Sequence, residues 1–144
     1  MGIFSLILTG LKQELASVLK GTPVVIRKRA ILLEGDKLPL TIVSPGQESI
    51  GMETFNNVVE YQYKVNVTVV QAGNRIFEEN VFEWLDLREK IRNQMYKVSL
   101  IGADTVLDTI IECSPALEMV SGAVSNYDVT GFTLTYKSIE SRVP

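Results

Sequence analysis

The sequence predicts an α/β (α+β) domain: a single mixed or mostly antiparallel sheet packed by two amphipathic helices, in the order α-β-β-loop-β-α-β-β. Three observations carry this. Two segments repeat apolar residues at helical spacing, and the segment Val59 to Val69 alternates apolar with polar residues. The chain has 144 residues, of which 46% are apolar, enough for one core at ordinary domain size. No internal repeat, low-complexity tract or composition break divides it, so 1–144 is read as a single domain.

The first helix is expected from Ile3 to Lys20. Phe4, Ile7, Leu8, Leu11, Leu15, Val18 and Leu19 fall on one stripe, while Lys12, Gln13, Glu14 and Ser17 lie off it. Lys20 and Gly21 supply a cation and a left-handed stop, and Pro23 blocks continuation. The same start, Met1 to Leu11, lacks the basic leader and cleavage site of a signal sequence. The expectation is therefore a protein made in a cytosol.

Val24 to Leu33 reads as a strand, Glu34-Gly35-Asp36-Lys37 as a turn and Leu38 to Val43 as the returning strand of a hairpin. Pro39 marks an edge or irregular entry. Ser44 to Asn57 reads as a long loop. Pro45, Gly46 and Gly51 permit shape, and Ile50, Met52 and Phe55 are more apolar than a solvated linker needs. Loops of that length are uncommon unless they have a function or are disordered.

Val59, Tyr61, Tyr63, Val65, Val67 and Val69 alternate with Glu60, Gln62, Lys64, Asn66 and Thr68, which predicts a half-buried strand. At about 3.3 Å per residue it spans more than about 30 Å, long for a small sheet. Glu78 to Lys97 follows as the second helix. Val81, Trp84, Leu85, Arg88, Ile91 and Met95 line its buried face, and Asn80 is its candidate N-cap. Val106 to Cys113 and Tyr127 to Ile139 are the closing strands, with Ala116 to Val124 ambiguous between them. Tyr127 and Val129 have the opposite parity to Phe132, Leu134 and Tyr136, which predicts a β-bulge near Gly131.

Composition excludes several kinds of chemistry. The chain has no histidine, so Ser-His-Asp, Cys-His and His-ligated metal sites are ruled out. Its one cysteine, Cys113, allows no internal disulfide and is expected as a buried small apolar residue. Net charge is −3, which argues against a whole-surface footprint for nucleic acid. There is no GxGxxG, Walker A loop or CxxC. The expectation is a protein that is not an enzyme, with no cofactor, no metal and no membrane partner.

The remaining candidates each have a plain counterpart. Arg27, Lys28 and Arg29 are candidates for basic contacts with a phosphate or an acidic partner. Equally, charge at a solvated edge blocks strand addition. Glu78, Glu79, Glu83 and Asp86 put oxygen ligands near one another, but they also complement the helix dipole. Asp104 with Asp108, or Asp128 with Glu140, are formal acid/base pairs with nothing local to separate their pKa values. Tyr61 and Tyr63 are able to stack bases, yet they share parity with the valines of a core face. Gln47, Ile50, Met52 and Phe55 of the long loop are candidates for an interface.

The layout then suggests a family. An N-terminal helix precedes a hairpin and long loop, and a Tyr/Val strand leads into the charged helix Leu85-Asp-Leu-Arg-Glu-Lys-Ile-Arg-Asn-Gln-Met95. The chain closes on Tyr127-Asp-Val-Thr-Gly-Phe-Thr-Leu-Thr-Tyr136. This resembles the tail terminator and neck (tail-completion) proteins of long-tailed bacteriophages. The resemblance implies a virion subunit, assembled in the host cytoplasm, that forms a ring (commonly a hexamer). The ring would cap the head-proximal end of the tail tube and join it to a head-completion or connector protein. It further implies that Arg27, Lys28 and Arg29 face a partner or a lumen through which DNA passes transiently. Loop 44–57 would then make contacts, and no catalytic site is implied. The alternative expectation is a nucleic-acid-binding module using the 59–69 strand and Arg27 to Arg29.

Overall fold

The computed structural model describes residues 2–53, 58–73, 77–95, 106–121 and 126–141. Its first helix, α1, spans Ile3–Val18 and buries Ile7, Leu11 and Leu15, the centre of the expected stripe. Each such side chain contributes about 1.5–3 kcal/mol by leaving water. The stop is as expected. Gly21 takes φ +82°, and the Thr22 N–H returns to the Leu19 carbonyl at 3.0 Å.

The next segment differs from expectation. Strand β1 is only Val24–Ile26, and it pairs parallel with β2, not as a hairpin. Residues 27–39 cross over between them. The chain cannot continue as a strand because Arg27 turns back onto Asp36. The two terminal guanidinium nitrogens each donate to one carboxylate oxygen at 2.7 Å. The Ile31 carbonyl accepts from the same guanidinium, and the Leu33 N–H caps the carboxylate. The basic trio therefore lies in this crossover, beyond the end of β1.

The expected loop after Val43 is also corrected. Strand β2 runs Leu40–Glu53 and pairs antiparallel with β3, Val58–Ala72. Residues 54–57, with Phe55, lie outside the described residues. The proline and glycines that suggested a loop instead build two irregularities within a strand. The register shifts between Pro45 and Glu48 and between Ile50 and Met52. At the first, a Cβ on Gly46 would meet the Lys64 carbonyl at 2.9 Å, so only glycine lets the strands approach there. Pro45 lies beyond the last residue that β1 pairs, where its missing N–H costs no ladder bond.

β3 alternates as expected, with Val59, Tyr63, Val65, Val67 and Val69 buried. β2 and β6 accompany it along nearly its whole length. The second helix, α2, is Glu78–Met95 and buries Trp84, Ile91 and Met95. Two details shift. Asn80 is inside the helix, and its side chain accepts the Phe77 N–H at 3.3 Å, so it caps from the third position. Val81, expected on the buried stripe, is exposed.

β4 is Val106–Cys113, and β5, Glu118–Ser121, falls within the ambiguous stretch, of which 122–124 lie outside the described residues. β6, Asn126–Ser141, closes the fold. No bulge occurs at Gly131, since β3 and β6 pair without interruption and Gly131 lies opposite Thr68. The change of parity has another cause. Tyr127 and Val129 face the second side of the sheet, where they pack with Leu40, Ile42 and Val70 under Leu32 and Leu38 of the crossover.

Among the described residues the order is α1-β1-β2-β3-α2-β4-β5-β6, and the strands form one mixed sheet, β1-β2-β3-β6-β4. β5 shares the outer side of β6 with β4. The large core lies between one face and the two helices, from Ile7, Leu11 and Leu15 to Val65, Val67, Leu134, Trp84 and Ile91. No described helix is long and apolar enough to cross a membrane.

Candidate functional site

The sheet has two outer edges. On one side β1 covers β2 only at Thr41, Ile42 and Val43, and β2 continues to Glu53. On the other side lies β4, which no described strand pairs on its outer side. A row of N–H and C=O groups at such an edge is a template for another strand.

The expected contact residues lie as follows. Gln47 sits in the first irregularity of β2 and is exposed. Ile50 is opposite Tyr61 and exposed. Met52 is opposite Glu60 in the register. Three of the four therefore share the outer length of β2, on a strand in place of a loop.

The basic trio divides. Arg27 is committed to Asp36, and its guanidinium holds that carboxylate at a pKa of about 2, chiefly through the paired hydrogen bonds and also through the Leu33 N–H. Lys28 and Arg29 are exposed. They border a groove of about 440 Å³ on the sheet's second face, with Ser44, Asn66, Thr68, Glu112 and Thr133 among its lining residues.

The tyrosine strand faces the helices. Tyr63 is buried, its ring centroid 5.0 Å from that of Phe4. Its hydroxyl donates to Glu140 at 2.5 Å. Burial, and then that bond, push its pKa well above the ordinary phenol range.

Asp128 and Glu140 do not converge. Asp128 is buried and accepts from Gln71 at 3.3 Å, whereas Glu140 lies at the far end of the same strand. Asp104 lies outside the described residues. Among the described residues no group of three or more Cys, Asp or Glu is placed to hold a metal ion. Cys113, expected to be buried, is exposed; it ends β4, an edge strand among the described residues.

Sequence reading missed the largest exposed apolar side chains. Phe77 and Phe82 flank the start of α2 at 68% and 56% exposure, and Met119 in β5 is 65% exposed. Ile31 and Leu33 in the crossover are 50% and 55% exposed. Phe82 was visible as an aromatic residue outside the buried stripe. The crossover pair was obscured because apolar residues there looked like a strand.

No family model matches the chain, and no curated protein matches it.

Proposed function

We propose that this chain is a structural subunit that closes head to tail into a ring of the phage tail-terminator or neck type. In this reading the ring occupies the head-proximal end of a tail tube, stops its growth and offers a surface to a head-completion or connector protein. DNA passes transiently through its lumen, and the ring is part of the virion, with no enzymatic role. The observation that carries the reading is the pair of open edges on one sheet, β2 beyond Val43 on one side and β4 on the other. A monomer with two such edges invites pairing. Two different surfaces on opposite sides of a subunit satisfy each other only through heterologous contacts, which close when the rotation permits.

The reading is tested by tube assembly. Purified chain added to polymerising tube subunits should shorten the tubes and decorate one end of each. Tubes of unchanged length with bare ends would refute it.

The exposed Lys28 and Arg29 beside the groove favour nucleic acid as a second reading. The buried position of Tyr63 weighs against it, since a covered ring cannot stack on a base. A binding titration across salt separates the two readings. Phosphate neutralisation must give a log–log slope, and a flat response eliminates this one.

A further inference from the structure

We infer that one subunit seats its crossover, residues 27–37, on the N-terminal half of helix α2 of the next copy. This rests on the ring reading and adds a side-chain contact at the same two sides of the subunit as the open edges. The two lie at opposite sides of the sheet. The crossover leaves β1, the outer strand on one side. The first half of α2 lies over the other side. There the Trp84 indole N–H donates to the Ala116 carbonyl at 2.7 Å, and Arg88 donates to Thr130 and the Ser114 carbonyl.

Each surface has an apolar centre. At the start of α2 it is Phe77, Val81 and Phe82; on the crossover it is Ile31 and Leu33. Exposed apolar residues of this size, grouped and rimmed by charge, mark an interaction surface. The rims have opposite sign. The same half of the helix carries the exposed carboxylates Glu78, Glu79, Glu83 and Asp86. The next cation along the helix, Arg88, is occupied by Ser114 and Thr130. Around the crossover patch stand Lys28, Arg29 and Lys37, with Glu34 as the acidic residue outside the Arg27–Asp36 pair.

Charge also decides which copy faces which. A two-fold dimer through the helix patch would press carboxylates against carboxylates, and one through the crossover would press cations together. Like-charge juxtaposition is strongly unfavourable. Pairing one patch with the other is complementary in both sign and polarity, and it uses both sides of every subunit. The crossover is also held in shape before it binds, because Asp36 ties Arg27 to the Leu33 backbone. A preorganised loop loses less entropy on docking.

Charge reversal tests this on the full chain. The variants K28E/R29E and E78K/E79K change only exposed side chains, and matching thermal melts would establish that both fold. Native mass is then measured for wild type, for each variant and for their equimolar mixture. The expected result is a ring for wild type, and for each variant alone an assembly concentration raised roughly ten-fold or more. In the mixture, where every reversed patch meets an oppositely charged one, rings should return. Wild-type-like rings from both variants would overturn the assignment of these surfaces while leaving the ring reading intact. A mixture that stays as dissociated as its components would do the same. If the helix variant still forms rings but loses binding to another basic protein, the α2 patch belongs to that partner and the inference fails. A wild type that never assembles would overturn the ring reading itself.

Discussion

Arg27 grips Asp36 with two parallel hydrogen bonds of 2.7 Å, and this fork shapes the crossover that leaves β1. A carboxylate held at about 2 in the folded chain, against an ordinary 3.8, links the loop to pH. The folded pKa is depressed, so the contribution to stability is complete above about pH 4 and disappears as pH falls toward about 2. Asp36→Asn should therefore be less stable than wild type at neutral pH. The difference, read from urea midpoints, should vanish near pH 2. A difference that does not change with pH would contradict the role given to the pair.

Gly46 approaches the Lys64 carbonyl so closely that a side chain has no room. Gly46→Val should lower stability by about 1–3 kcal/mol, through strain of the overpacking kind. Its urea midpoint should fall with an unchanged slope. Wild-type stability in this variant would indicate that 44–48 is not the paired strand described above.

Tyr136 is buried against the core, and its hydroxyl has no protein partner among the described residues. Burial alone raises its pKa above the ordinary phenol value. Removing an unpaired buried hydroxyl relieves a desolvation cost. Tyr136→Phe should thus gain about 1 kcal/mol, visible as a higher thermal midpoint. A loss of that size would mean the hydroxyl is paired.

Trp84 packs in the main core and donates its indole N–H to Ala116. Trp84→Phe leaves that carbonyl without its donor and a gap beside it. A loss of about 2–4 kcal/mol is expected from the unpaired group and the lost volume together. Thermal or urea unfolding measures it directly. A neutral substitution would show that α2 is not anchored to 114–116 in this way.

The parts of the fold that were legible in sequence are those governed by periodicity. The α1 stripe, the β3 alternation and the second helix each bury a regular set of residues, so spacing alone reveals them. The crossover was hidden by a long-range event. Val24 to Leu33 has strand composition throughout, but the bond from Arg27 to Asp36 ends the strand at Ile26. The 44–53 strand was hidden by local chemistry. Pro45, Gly46 and Gly51 signal a loop to any local reading, yet here they form irregularities between two long strands.

The parity change in β6 had the same kind of cause. A second small core under Leu32 and Leu38 allows Tyr127 and Val129 to face away from the helices, and no local pattern announces it. Gln47, Ile50 and Met52, candidate contacts on a loop in the sequence, lie on strand β2. Phe77 and Phe82 are recognisable as a patch only once the buried face of α2 is known.

Native mass of the untagged full chain across a range of concentrations bears most directly on assembly. One discrete closed oligomer, ring-shaped in negative stain, is expected. A chain that remains monomeric up to high concentration, alone and with tube subunits, would contradict the ring reading.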